Sequence, residues 1–354
     1  MKKGGQCLLI IVVLFFLPVP VHAYLQLIGL GDLSRDNYSS LSINNSGQIV
    51  GDIDIGGNVY HACLYDYYNG GTFTDLGTLG GTFSQAACIN DSGDIVGGAN
   101  NNDNQSHGCY FDSSGSGQNI DLGLGSASCI NNSGLVVGVF DGVHLKDINN
   151  PDFHLYLGGL SPGSGGNPTS INDNGCIVGF AGARACLFDE TGAGNNINLG
   201  TLGGDLSRAE SVNNAGLIVG WARIESNESR ACLFDPTGQG NNIDLGAFSS
   251  NSGSFGKAIN NQNQIVGYSH GSASGKVHAC LFDINGNGPI DLNNMIDPSL
   301  GWELLYGHDI NDNGWIVGWG IPPEGGTEAF LLTPEPCTLT LLALGGLFLR
   351  KRRR

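Results

Sequence analysis

A chain of 354 residues with 58 glycines, 13% charged residues and a formal net charge of −17 is long enough for two domains. Its acidity repels phosphate backbones and anionic lipid, so neither nucleic acid nor a membrane surface is an expected partner. Helical periodicity is missing from its interior, which is filled instead by repetition, and repetition overrides length as a guide to domain number.

The chain opens on MKKGGQCLLIIVVLFFLPVPVHA, two lysines, an apolar run and a small-residue end. That order predicts a secretory signal peptide over 1–23 with cleavage after Ala23. The apolar run is about half the length a membrane span needs.

Between 24 and 333 one phrase comes seven times: INNSGQIVG (43–51), INDSGDIVG (89–97), INNSGLVVG (130–138), INDNGCIVG (171–179), VNNAGLIVG (212–220), INNQNQIVG (259–267) and INDNGWIVG (310–318). A second phrase travels with it, as HACLYD (61–66), HGCYFD (107–112), RACLFD (184–189 and 230–235) and HACLFD (278–283), with GVHLKD (142–147) and EAFLLT (328–333) as divergent members. A third reads TDLGTLGG (74–81), IDLGLG (120–125), YLGGL (156–160), INLGTLGG (197–204), IDLGAF (243–248) and IDLNNM (290–295), and LQLIGLGD (25–32) looks like its opening member. Each phrase is short, rich in β-branched or aromatic residues and bounded by Gly, Asn and Asp, the signature of a strand. The Asn/Asp-x-Gly centre of the first phrase suits a tight hairpin with positive φ.

Four strands per unit, in the order SIN, IVG, ACLFD, DLG, predict an all-β fold: a seven-bladed β-propeller of four-stranded blades. Because the mature sequence begins on a strand of the fourth kind and ends on one of the third, the N-terminal strand is expected to complete the last blade. Loop lengths between the second and third strands, and between the fourth strand and the next unit, vary, whereas the other two turns are nearly constant. Binding residues usually sit on variable loops of a rigid scaffold, so that face is the expected binding face, with candidate stretches 98–107, 221–229, 268–277, 297–306 and 319–326.

The other end reads TPEPCTLTLLALGGLFLRKRRR. Pro334, Glu335 and Pro336 precede a short apolar run and five consecutive cations, which stay on the cytoplasmic side of a membrane. This end resembles the PEP-CTERM sorting signal of Gram-negative-type bacteria, placed here at 334–354. The resemblance implies transient inner-membrane anchoring, cleavage by an exosortase-type enzyme, and release to the cell surface or an exopolysaccharide matrix. A retained C-terminal anchor is the alternative. Without both ends the charge sharpens: losing Lys2, Lys3 and the last five cations leaves 8 Lys+Arg, and losing Glu335 leaves 31 Asp+Glu, a net −23. The internal phrases IN-[ND]-x-G-x-IVG, HAxL and DLGTLGG together resemble the HAF repeat, a probable extracellular repeat, with Cys63, Cys109, Cys186, Cys232 and Cys280 where the third letter of HAF is Phe. That resemblance implies a secreted or surface protein and no established activity.

Candidates for chemistry are few. The five cysteines just named share one repeat position, and symmetry places them a blade apart, too far for the ~5.5 Å Cα separation of a disulfide. Cys88 and Cys129 stand where other units have Ser42, Ser170 and Ser211. A Cys63–Cys88 bridge between neighbouring blades stays open beside the reading of small buried hydrophobes. The turns DSSGSGQNID (112–121), DETGAGNNIN (189–198), DPTGQGNNID (235–244) and DINGNGPID (283–291) could hold calcium or simply turn the chain; the last lacks the bidentate Glu of a calcium loop, with Asn294 in its place. His61, His107 and His278 share a position with Arg184, Arg230 and Glu328, which reads as a solvated strand start. No HExxH motif occurs, and the loop acids Asp103, Glu225, Glu228, Asp297, Glu303 and Glu324 are too scattered to nominate a pair. No catalytic, cofactor or metal residue is therefore assigned. The expectation is a secreted or surface-displayed, non-enzymatic repeat protein engaged with extracellular polysaccharide or surface proteins; a propeller glycosidase or lyase acting on polysaccharide is the alternative.

Overall fold

The computed structural model describes residues 25–31, 33, 40–57, 59–161, 163–271 and 276–334. Ala23 and the rest of the segment expected to be a signal peptide lie outside the described residues, as do Glu335, Pro336 and the last five cations; Pro334 ends a strand. The described residues are almost all strand or turn, with two short 3-10 turns, Leu292–Met295 and Pro298–Leu300.

One unit shows how the phrases fold. Gly80–Ile89, Ile95–Asn101, Ser106–Phe111 and Ile120–Leu124 pair antiparallel in chain order, with Ile89 opposite Ile95, Gly97 opposite Cys109 and Cys109 opposite Asp121. These are the inner, second, third and outer strands, and the order expected from the phrases. Five sheets of the fold are four-stranded. A further, eight-stranded sheet is two such antiparallel sets, the unit just described and the one from Ser42–Ile43 to Thr72–Gly77, touching at a single parallel pair of Tyr60 with Phe83. The arrangement is consistent with a β-propeller. One boundary differs from the sequence reading. The TLGG end of the third phrase leaves the outer strand, and its last glycines open the next inner strand, Gly80–Ile89 and Gly203–Val212.

In the inner hairpin the asparagine N–H bonds to the carbonyl four residues on, and the N–H three residues on returns to the asparagine carbonyl, as in Asn90 with Asp94 and Gly93. The third residue after the asparagine needs positive φ. Gly93 supplies it at 85°, and in the copy without glycine Asn263 does so at 63°, the residue type that best tolerates the left-handed region after glycine.

Successive sheets pack face to face. Val50, Ala62, Leu64 and Leu76 of one unit meet Ala86, Ile89, Ile95 and Phe111 of the next in one buried cluster. Ser84, Ser207 and Ser254 tie neighbours by accepting an N–H from the preceding third strand and donating to the glycine after the preceding DL or NL pair. The ends meet as expected: Leu25–Gly29 runs antiparallel to Glu328–Pro334, from Leu25 opposite Pro334 to Gly29 opposite Phe330. Leu30, Ile43, Ile49 and Cys63 share a buried cluster with Val317, Trp319 and Leu331, joining first unit to last.

Candidate functional site

The inner strands surround an axial cavity of about 190 Å³ lined by residues of all seven phrases. An inner strand has no further strand beside it, so its outward N–H and C=O groups need other partners. Side chains supply them in three tiers. Lowest, the residue two before each asparagine accepts the N–H of the next unit: Ser42 from Ile89, Cys88 from Ile130, Ser170 from Val212 and Ser211 from Ile259. Next, each buried asparagine donates its Nδ2–H to the carbonyl of its successor, from Asn44 to Asn90, Asn131, Asn172, Asn213, Asn260 and Asn311, and Asn311 donates back to Asn44, all at 2.8–3.1 Å. At the mouth, Asn45, Asp91, Asn132, Asp173, Asn214, Asn261 and Asp312 form a second closed cycle, each Oδ1 accepting the preceding unit's N–H at 2.8–3.0 Å. Either an amide or a carboxylate oxygen can accept there, which explains the [ND] of the repeated phrase. Asp91, Asp173 and Asp312 also each take amide N–H bonds from asparagines on both sides.

The lowest tier has one defect and one repair. Ala258 has no acceptor to offer Ile310, so Asp309 takes the Ile310 N–H with one oxygen at 2.8 Å and the Ile43 N–H with the other at 2.9 Å. Burial beside the cavity raises its carboxyl from the usual 3.8 to about 6, against these hydrogen bonds, which lower it. Between those values the folded state holds more protons than the unfolded one, so stability falls as pH rises through about 4 to 6. Asp309→Asn keeps an acceptor and removes this slope. Denaturant titrations at pH 4 and pH 7 are expected to show wild type losing about 2 kcal/mol relative to the variant; parallel stability changes would contradict this.

The far end of the channel is not symmetric. The residue after each IVG triplet is Asp52, Gly98, Val139, Phe180, Trp221, Tyr268 or Trp319, and aromatic rings occupy four consecutive units. The Arg208 guanidinium lies 4.2 Å from the Phe180 ring and 5.8 Å from Trp221. Trp221 meets Phe255 edge-on at 5.5 Å, Phe255 stacks on Tyr268 at 4.9 Å, and Tyr268 meets Tyr306 at 4.8 Å. All five rings are partly exposed, while Trp319 turns wholly inward. Beneath them, three residues before their asparagines, stand Glu210, Lys257 and His308 where other units have Leu41, Ala87, Ser128 and Thr169. The Glu210 carboxylate receives the Trp221 indole N–H at 3.0 Å and the Lys257 ammonium at 3.2 Å. A β-bulge in the inner strand, between Ala209 and Ser211 and at the same place in its neighbours, sets these residues out of the regular pairing.

Burial and Lys257 push the His308 imidazole down to about 3, and burial, Glu210 and Tyr306 push the Tyr268 phenol up to about 12. Both are neutral at physiological pH, so the patch offers aromatic faces, neutral hydrogen-bonding groups, one carboxylate and two cations. It adjoins a depression of about 520 Å³ between Glu228, Ser229, Ser249–Gly253, Phe255, His270 and Gly271, a volume within the usual range of ligand sites. Its floor is braced by buried Arg230, which donates to the Ser250 and Ser252 carbonyls.

The candidate stretches 221–229, 268–277 and 297–306 contribute Trp221, Glu228, Tyr268, His270 and Tyr306 to this patch and the depression beside it, with the rings Trp221, Tyr268 and Tyr306 on strands rather than loops; residues 272–275 lie outside the described residues. The loop acids are engaged separately, Glu228 by Ser226, Glu303 by Lys276 and His278, and Asp297 as the cap of its own turn. His61, His107 and His278 are not simple strand starts: each pairs with the outer-strand aspartate, Asp75, Asp121 or Asp291, at 2.7–2.9 Å. Asp112, Asp189, Asp235 and Asp283 accept donors from their own turns, and those hydrogen bonds hold Asp189 and Asp235 at about 2. Cys63, Cys109, Cys186, Cys232 and Cys280 are buried and unpaired. The pair that does approach is Cys88 with Cys129, not Cys63 with Cys88. Residues one unit apart are distant on outer strands but converge toward the axis.

No family model and no curated protein matches the sequence. Among solved structures, TolB from Acinetobacter baumannii is similar at 12% identity and a TM-score of 0.43, over 83% of this chain and 79% of that one. A mutant Aleuria aurantia lectin in complex with Fucα1-6GlcNAc is similar at 11% identity and a TM-score of 0.36, over 85% and 97%. At these scores the likeness says nothing of function.

Proposed function

We propose that this protein is a secreted or surface-displayed, seven-bladed β-propeller of the HAF-repeat kind. Its PEP-CTERM-type tail at 334–354 is processed by an exosortase, and it binds extracellular polysaccharide without chemically altering it. The blade number is supported by the two seven-membered side-chain cycles, each of which returns to its starting unit. The ligand class rests on one observation, the chain of partly exposed rings Phe180, Trp221, Phe255, Tyr268 and Tyr306 flanked by Arg208, Glu210 and the serine-rich depression. Flat apolar faces beside short polar groups suit the alternating apolar and hydroxylated faces of sugar rings.

Titration calorimetry against a panel of neutral and acidic polysaccharides, with and without calcium, tests the reading. Trp221→Ala and Tyr268→Ala are each expected to weaken binding tenfold or more, while Tyr156→Ala, an exposed ring in another unit, leaves it unchanged. Binding that ignores the first two variants would overturn the assigned site, and release of reducing sugar ends by wild type would overturn the non-enzymatic reading.

A further inference from the structure

Cys88 and Cys129 occupy one repeat position on the inner strands of successive units, and their Sγ atoms are 2.7 Å apart, against ~2.05 Å in a disulfide. Both line the axial cavity; Cys88 is buried and Cys129 partly exposed. As hydrogen-bond acceptors they do no more than Ser42, Ser170 and Ser211 do in other units, so that role does not account for two adjacent thiols. We propose that Cys88 and Cys129 are an oxidisable pair that closes to a disulfide in the channel wall, stapling two neighbouring sheets, with a peroxide as the oxidant.

The cavity of about 190 Å³ admits a molecule as small as hydrogen peroxide. The Cys129 sulfur attacks one peroxide oxygen and the O–O bond breaks. The departing hydroxide takes the thiol proton, leaving a sulfenic acid and one water. The Cys88 sulfur then attacks the sulfenic sulfur, the S–O bond breaks, the S–S bond forms, and the Cys88 proton leaves in a second water. Two thiols lose two electrons and one peroxide gains them. The bond closes a loop between residues 41 apart, which restricts the unfolded chain.

The test treats the purified protein with one equivalent of hydrogen peroxide, then alkylates it under denaturing conditions and maps chymotryptic peptides without reductant. The thiols of the eight described cysteines are expected to fall by two. One linked peptide pair should contain Cys88 and Cys129, revert with dithiothreitol, and accompany a higher denaturation midpoint. Cys88→Ser, which keeps the acceptor as Ser42 does, should melt near reduced wild type, form no link, and leave a sulfenic acid at Cys129 that dimedone traps. An unchanged thiol count, a link between other cysteines, or sulfinic acid at Cys129 of wild type without a link would each overturn the proposal.

Discussion

Gly220→Ala is expected to destabilise the fold by about 3 kcal/mol or more, a loss of roughly 5–10 °C in melting temperature. A Cβ on Gly220 would lie 2.1 Å from the Arg208 carbonyl oxygen, 2.9 Å from the Ala209 Cα and 3.0 Å from the Arg208 carbonyl carbon. All three are backbone atoms, so no side chain can swing aside. Relief requires moving the inner strand off its partner, and with it the Ala209–Gly220 pairing. The cause is the bulge, which tips the carbonyl of the inner strand over the second strand. The same approach recurs at Gly97, Gly138, Gly179, Gly267 and Gly318, at 2.0–2.4 Å, and this is why IVG ends in glycine. Gly165→Ala is the control: no atom lies within 4 Å of its Cβ and its φ is ordinary, so a change within about 0.5 kcal/mol is expected. Equal losses from the two variants in denaturant titrations would contradict the steric account.

Asn172→Ala should cost a comparable or larger amount, about 3–5 kcal/mol. The side chain accepts the N–H groups of Asn174 and Cys176 and donates to the Asn213 carbonyl. Truncation strands two partly buried N–H groups and removes the side-chain bond to the buried Asn213 carbonyl, which keeps only the Gly216 N–H; an unmade buried hydrogen bond costs about 1–3 kcal/mol. Asn172→Asp separates the roles. It keeps the acceptor for the turn but places a carboxylate against the Asn213 carbonyl, so the folded state favours the protonated acid, whose O–H can donate. The variant should approach wild type below about pH 4 and lose stability as pH rises through its raised folded pKa. A pH-independent loss would show that the donor to the next unit contributes nothing.

Much of this architecture was legible in the repeats. Seven INxxG-type phrases, their fixed partners and a fourth-type strand at the start were enough for strand order, hairpin turns and the pairing of Leu25–Gly29 with Glu328–Pro334. What escaped depends on neighbours at the axis. The spacing of Cys88 and Cys129 reads as one unit apart, and only convergence of inner strands brings the sulfurs together. Asp309 looks like a stray acid until Ala258 is seen to leave Ile310 without an acceptor. The aromatic patch has a signal in the sequence: the column after IVG runs Asp, Gly, Val, Phe, Trp, Tyr, Trp, and the column three before the asparagine turns from Leu, Ala, Ser and Thr to Glu210, Lys257 and His308. A repeat scaffold displays function where consecutive units depart from it together. That test needs columns aligned across units, whereas scanning loops one at a time finds only scattered acids.

The central claim, a ring whose two extremities share one sheet, is tested most directly by hydrogen exchange at the amides of Leu25–Gly29. Those facing Glu328–Pro334 are predicted to exchange as slowly as the amides of Ile316–Ile321 in the same sheet. Exchange at the rate of an unstructured peptide, with Glu328–Pro334 behaving as an open edge, would contradict it.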